Sequence, residues 1–482
     1  MRVCKEKDHN PAPALEKSKC LSVHKEKDAI LINSFPKNRG FVALFIAFAA
    51  GCVFSGNGTI DSSSQTKKVE LSGCGAIEAG QIVNGRYQYL LSAPEINDIW
   101  IGHVYSSFSV KSTLNEHFSV LLSLESRIWY NTSPMFLIPD NSSFGAPIQN
   151  FEVTIPNAVG TLSFGDKKRS AFKIGVGRFE YKYNPYARDL GEYLFRSGCY
   201  PAYIKNAFDL PLARINGIVA SHTFADFLRQ DLLLTTMNEV RPFLDFNLTY
   251  IADLSLGKAF DIGGGISFDH LFSVDSNETI NSYSSNGYLK ASGDTGYYSF
   301  AGTKLMLRCM LDPKKFFNVP FFGENDGVIY AEAAVLGVKG YPKSTAIDTN
   351  NKYSNMYGYD RLSEKMPVMV GFNIPCFRVL DVFSVEGEWF GSKYKDSYES
   401  NMGRKPAPAR PSGFETEEDY IHDNWKWALY AKKTLFGGMS LIGLVGRDHL
   451  RTETFIGQYR DYEATLVRPN HRYWMVKIKY SF

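Results

Sequence analysis

Arg472-Tyr473-Trp474-Met475-Val476-Lys477-Ile478-Lys479-Tyr480-Ser481-Phe482 carries a large apolar side chain at every even position from 474, with lysines and a serine between the later ones. Successive side chains of a β-strand point to opposite faces. Trp474, Val476, Ile478, Tyr480 and Phe482 therefore share an apolar stripe, and Lys477, Lys479 and Ser481 share a wet one. A strand of this kind separates an apolar medium from an aqueous one.

The same period recurs upstream. Between Ile99 and Lys111, Trp100, Gly102, Val104, Phe108 and Val110 oppose His103, Tyr105, Ser107, Ser109 and Lys111. Phe118 to Ile128 alternates likewise, and Phe243 to Asp275 reads as two such strands turning at Gly257-Lys258. The chain of 482 residues holds 28 Tyr, 35 Phe and 40 Gly and shows no long run of helical period. Its longest apolar run, Phe41 to Phe54, is shorter than the ~20 residues a spanning helix needs. A soluble β-sandwich also alternates, but these strands run past the ~5 to 6 residues usual in soluble sheets.

Residues 472–482 resemble the last strand of a bacterial outer-membrane β-barrel, where an aromatic C-terminal residue resembles the signal read by the assembly machinery. The resemblance implies an outer-membrane location in a diderm bacterium, with membrane lipids and the barrel assembly machinery as partners. The expected fold is all-β: a transmembrane antiparallel β-barrel of about sixteen strands, with fourteen to eighteen also compatible. Short turns at 112–116, 165–169, 225, 256–258, 375–378 and 435–438 mostly alternate with long polar loops near 131–148, 184–211, 275–295, 341–363, 393–419 and 451–471. A short outer connection at Asn238–Arg241 and a long inner one at Leu311–Asp326 break the regularity. In such barrels short turns face the periplasm and long loops the exterior. Counting back from Phe482 requires a first strand before Ile99, and Gly85 to Ser92 is assigned to it.

Lys37 and Arg39, the apolar Phe41–Phe54 and the small residues after it have the order of an export signal. Residues 1–55 are read as removed, 56–84 as a periplasmic tail or small plug, and 85–482 as the barrel. The long stretch before the apolar run also fits a translation start downstream of Met1. Gly51-Cys52 resembles a lipoprotein box imperfectly, because Ala49 stands where a larger aliphatic residue is preferred. Of 53 Lys and Arg and 50 Asp and Glu, nine and five lie in residues 1–52, leaving 44 against 45. That balance gives no reason to expect a nucleic-acid partner. Seven scattered cysteines lack C-x-x-C spacing, so single thiols are expected, with a disulfide the alternative in an oxidising compartment, and no metal and no cofactor.

If one stripe meets lipid, the other lines a bore that about sixteen strands leave aqueous. The inward acidic residues are Asp245, Asp253, Asp261, Asp269, Glu125, Glu386 and Glu388, and the inward basic ones His103, Lys111, Arg127, Lys304, Arg308, Lys426, Lys432, Lys477 and Lys479. The aspartates fall on the expected eighth and ninth strands and several lysines on the fourteenth and sixteenth. An acidic wall facing a basic one would set a transverse field across the aperture.

Residues 184–211 join the expected fifth and sixth strands and contain a candidate short helix, Pro185 to Phe195. The layout resembles sixteen-stranded trimeric general porins, in which the connection at that position folds inward and narrows the bore. By position alone, Arg188, Asp189, Glu192 and Arg196 become the candidate constriction and a homotrimer an expectation. The function implied is passive diffusion of small hydrophilic solutes and ions. The alternatives are a plugged barrel carrying a specific or apolar solute and a structural or adhesive surface barrel. No enzyme is expected. The adjacent pairs Asp269/His270, His422/Asp423 and Asp448/His449 face opposite sides of a strand, and G-x-S-x-G, H-E-x-x-H and P-loop signatures are absent.

Overall fold

A computed structural model describes residues 68–86, 95–130, 149–166, 170–197, 200–201, 213–225, 227–236, 244–257, 259–272, 274, 287–289, 295–297, 302–317, 320–338, 363, 366–390, 425–447, 451–456, 459–464 and 472–482. Seventeen strand segments share one antiparallel sheet. Two of them, Gln149–Thr154 and Ala158–Asp166, pair with the same neighbour and form one strand interrupted at 155–157. The wall thus has sixteen strands.

In chain order these are β1 Lys68–Arg86, β2 Glu95–Thr113, β3 Phe118–Tyr130, β4 (the interrupted strand), β5 Ser170–Tyr181, β6 Ala213–Phe224, β7 Leu228–Thr236 and β8 Phe246–Leu256. They continue as β9 Phe260–Phe272, β10 Gly302–Leu311, β11 Ile329–Val335, β12 Val368–Asn373, β13 Val382–Trp389, β14 Trp425–Thr434, β15 Met439–Arg447 and β16 Arg472–Ser481. Each pairs with the next, and β1 pairs with β16 from Cys74↔Ser481 to Asn84↔Arg472. The sheet closes on itself and leaves no free edge there.

Burial follows the period-two pattern. On β16, Tyr473, Met475 and Lys477 are buried toward the interior, while Val476 and Ile478 stand exposed outside. On β10, Lys304, Met306, Arg308 and Met310 point inward and Leu305 and Leu307 outward. Outside, Trp100 and Trp474 meet edge to face, centroids 5.5 Å apart. Phe482 exchanges two backbone hydrogen bonds with Gly73, each 3.0 Å.

The first strand differs from expectation. Residues 68–84, assigned to a tail or plug, belong to the wall; of the expected strand Gly85–Ser92, only Gly85 and Arg86 lie in β1, and 87–92 fall outside the described residues. The cause is steric. A Cβ on Gly73 would lie 2.6 Å from the Phe482 ring, and one on Gly80 2.3 Å from the Trp474 carbonyl. Glycine at these two positions, among the small residues of 72–76, makes the segment read as polar linker rather than as sheet. The export segment assigned to 1–55 also falls outside the described residues.

Connections at one end of the barrel span 114–117, 167–169, 225–227, 257–259, 374–381 and 435–438, with 312–328 the extended one. Those at the other end lie largely outside the described residues. Within them, Gly287–Leu289 pairs with Thr295–Tyr297, and Arg451–Ile456 with Tyr459–Ala464, so two segments read as loops carry small hairpins. Cys74, Cys309 and Cys376 are free thiols.

Candidate functional site

The strands that deliver the site bend at a paired glycine. Gly177 on β5 and Gly217 on β6 face each other in register, with φ of +133° and +153°. Their backbones press on the neighbouring strands. A Cβ at Gly177 would lie 2.1 Å from the Ala158 carbonyl oxygen, and at Gly217 2.2 Å from that of Leu234. β5 pairs with β4 only as far as Arg178↔Ala158, after which Phe179 to Tyr181 pair with β6 alone. Arg214 on β6 donates to Glu125 on β3 (2.7 Å), past two intervening strands, and to Glu180 (3.1 Å). The ends of β5 and β6 thus leave the wall and aim residues 182–195 across the interior.

Three wall glutamates receive that segment. Glu332 on β11 accepts from the Tyr183 hydroxyl (2.6 Å), the Asn184 amide (2.7 Å) and the backbone N–H groups of Glu192 (3.1 Å) and Tyr193 (2.9 Å). Glu386 on β13 accepts from the backbone N–H groups of Arg188 (2.6 Å), Asp189 (2.9 Å) and Leu190 (2.8 Å), and from the Tyr330 hydroxyl (2.7 Å). Glu388 takes the Tyr193 hydroxyl at 2.7 Å and lies 3.3 Å from Lys426. Lys304 on β10 donates to the Leu194 carbonyl (3.1 Å), and the Tyr186 hydroxyl to Asp261 on β9 (3.1 Å). The seat also has an apolar floor: Leu190, Tyr193, Leu194 and Phe195 pack with Ile251, Met306, Met310, Tyr330 and Met369 of the wall.

This explains why no α-helix spans Pro185–Phe195. Backbone donors that a helix would spend on carbonyls four residues back go to wall carboxylates instead, leaving one 3-10 turn at Tyr193–Phe195. Glu192 does not project into open bore. With φ of +60°, it folds onto its own segment, accepts from Asn184 N–H (2.6 Å) and faces Lys182 at 3.8 Å. Burial pushes its carboxyl up to about 7; Lys182 opposes that and Glu332 adds to it. Arg188 and Asp189 are half-buried and held through their backbones, and the Arg196 side chain lies outside the described residues.

The inward charges do not segregate into opposed walls. Asp253 pairs with Arg308 at 2.6 Å, and Asp269 lies 3.4 Å from Lys304 and accepts from Ser267. Asp245, just before β8, holds His270 at 3.0 Å, so that imidazole faces Asp245 rather than the adjacent Asp269. On the far side Lys477 pairs with Glu78 (2.5 Å) and lies over the Tyr105 ring, which Arg127 also approaches. Arg127 pairs with Glu125 at 2.5 Å. Lys111 reaches Glu70 (3.6 Å), and Lys432 and Lys479 are half-buried on the inward side. Only the backbone of His103 is described, paired with Glu78 and Trp129. Opposite charges meet within one strand (Glu125–Arg127), on adjacent strands (Asp269–Lys304, Glu78–Lys477) or across an intervening one (Asp253–Arg308), and a field across the aperture is replaced by local pairs. Glu78, Arg214, Glu332 and Asp231, which accepts from the Tyr181 hydroxyl at 2.7 Å, were not singled out from sequence. Glu332 alternates with Tyr330 and Ala334 against Ala331 and Ala333, a signal present in that short strand.

A second inward band is apolar. Ile82, Val382, Tyr430, Ile442, Leu444, Tyr473 and Met475, on β1 and β13 to β16, are all buried.

No protein-family model matches the sequence, and no curated protein does. Among solved structures the chain is similar to Salmonella typhi OmpF in complex with daunomycin, at 11% identity and TM-score 0.45, covering 86% of this chain and 98% of that one. It is also similar to mutants of the Rh. blastica porin, one of them at 9% identity and TM-score 0.39, covering 86% of this chain and all of that one. The closed sixteen-stranded barrel stands on its own strand pairing.

Proposed function

We propose that the chain is an outer-membrane channel for small hydrophilic solutes and ions, its short connections toward the periplasm, its passage narrowed by residues 182–195. The observation that carries this reading is the clamp of Glu332, Glu386 and Glu388 on a segment turned inward from β5. A structural barrel has no need to order such a segment inside its bore. The lining pairs Asp253–Arg308 and Glu125–Arg127–Arg214 would present both signs of charge to a passing solute. A homo-oligomer and assembly by the barrel machinery belong to the same proposal.

Reconstitution in planar bilayers tests it. Discrete ion-conducting steps are expected, growing when residues 186–195 are deleted, and liposomes containing the protein should swell in small sugars. Silence from both the parent and the deleted chain would end the proposal. The buried apolar inner band on β13 to β1 favours a second reading, a narrower barrel for a less polar solute. Swelling in sugars argues against that one.

A further inference from the structure

Three neighbouring connections at the short-connection end form an aromatic shelf. Phe316, Phe317 and Phe321 on 312–328 are 65%, 69% and 57% exposed, Phe377 and Val379 on 374–381 are 56% and 72%, and Phe436 on 435–438 is 81%. The shelf is a built object. Asp326 accepts from the backbone N–H groups of Gly323 (2.8 Å) and Phe377 (2.9 Å), Arg378 donates to the Pro320 carbonyl (2.7 Å), and Asn325 to that of Asp381 (3.1 Å). The rings of Phe321, Phe322 and Phe377 lie 5.0 to 5.8 Å apart.

Two further observations mark it as more than a turn. Phe377 and Arg378 both hold left-handed backbone, φ +52° and +66°, where a two-residue turn ordinarily takes Asn-Gly. Strain kept at bulky residues points to a use for their side chains. Beside them lies a cavity of about 590 Å³, lined by Lys314, Lys315, Phe317, Phe322, Arg378 and Asp381 among others. Lys314 is occupied by the Glu324 and Asp326 carbonyls, and Asp381 by Lys433 and the Thr434 N–H. Lys315 and Arg378 are exposed cationic ends, Lys315 4.0 Å from Asp312 at its best approach and Arg378 giving one guanidinium nitrogen to the Pro320 carbonyl, a neutral acceptor that leaves its charge in place.

The outward apolar faces of β10 to β12, with Leu305, Leu307, Val370 and Phe372 exposed, run down into this shelf. Phenylalanine, unlike tyrosine or tryptophan, has no polar handle for the water side of an interface. We infer that the shelf and its cavity hold a glycerophospholipid with an anionic headgroup, drawn from the leaflet bordering this end, acyl chains against Phe316, Phe317 and Phe436 and phosphate at Lys315 and Arg378. The inference rests on the outward face meeting lipid, not on what passes through the bore.

The test titrates the full chain in dodecyl maltoside micelles with dioleoyl phosphatidylglycerol or dioleoyl phosphatidylcholine and counts retained lipid by native mass spectrometry. Phosphatidylglycerol should be retained preferentially. Lys315→Gln and Arg378→Gln should each cut that preference about fivefold, the effect of one cation near a lipid surface. Phe317→Ser should lower retention of both lipids. Arg378→Lys should keep the preference, separating charge from turn geometry, and Lys111→Gln, on β2, should leave it unchanged. Equal retention of the two lipids, or full preference in the Lys315→Gln protein, would overturn the inference. Conductance of the same preparations is recorded separately, so failure of the channel reading shows as silence there and failure of this one as lost lipid preference.

Discussion

Replacing Glu332 by alanine should release the inward segment. Glu332 is 1% exposed and accepts four hydrogen bonds, two from side chains that can rotate away and two from the backbone N–H groups of Glu192 and Tyr193, which cannot. A buried donor left without an acceptor costs about 1–3 kcal/mol, so the two backbone groups alone weaken the seat by about 4 kcal/mol. That is roughly a thousandfold in the equilibrium between seated and released segment. Glu332→Gln keeps one acceptor oxygen and should lose about half as much. The assay is single-channel conductance in planar bilayers, with barrel integrity checked by heat-modifiable migration in gels. Conductance should rise in the order parent, Gln, Ala. A folded Glu332→Ala protein with the parent's conductance would refute the clamp.

The pH dependence has a definite sign. Glu192 titrates near 7 when seated, against 4.5 when released, so seating costs more as pH rises between those values and is firmest below them. Conductance should climb from pH 5 to 7.5, and Glu192→Gln should flatten the climb; an unaltered slope in that variant would exclude the carboxyl as its source. The groups facing it are Lys182, Tyr183 and Asn184 of its own segment and Glu332 of β11. Gly177→Val and Gly217→Val force a Cβ against a carbonyl and should each destabilise the barrel on the order of 3 kcal/mol, read as a lower temperature of heat modification. Gly73→Leu meets the Phe482 ring and should lower the yield of closed barrel in refolding trials.

Much of this architecture was legible because outward apolar and interior side chains take turns, and that period survives in strands such as β8, β9 and β16. β1 was hidden because its closeness to Trp474 and Phe482 demanded glycine at 80 and 73, which interrupts the hydrophobic alternation. The inward turn of 182–195 was expected only from the resemblance to general porins, by its position between the fifth and sixth strands, and Glu386 and Glu388 were assigned to the interior by alternation. Their role was not visible, since a single strand does not reveal which backbone amides will come to rest on a carboxylate. Nor did it reveal that Asp253, Asp269 and Asp245 meet Arg308, Lys304 and His270. The paired bend at Gly177 and Gly217 needed the register between two strands.

The bonds between Gly73 and Phe482 tie together residues at opposite ends of the wall. Every other neighbouring pair is joined by the chain running directly from one strand to the next, so hairpins can form as they are made, but this last stitch must wait for the whole length. Loop-closure entropy grows only with the logarithm of contour, and a span ten times a hairpin's adds about 2 kcal/mol. The thermodynamic penalty is small; the kinetic exposure is not. Until the two margins meet, β1 and β16 are open edges able to recruit any other strand, and the ring that results is held shut by its most distant acquaintances.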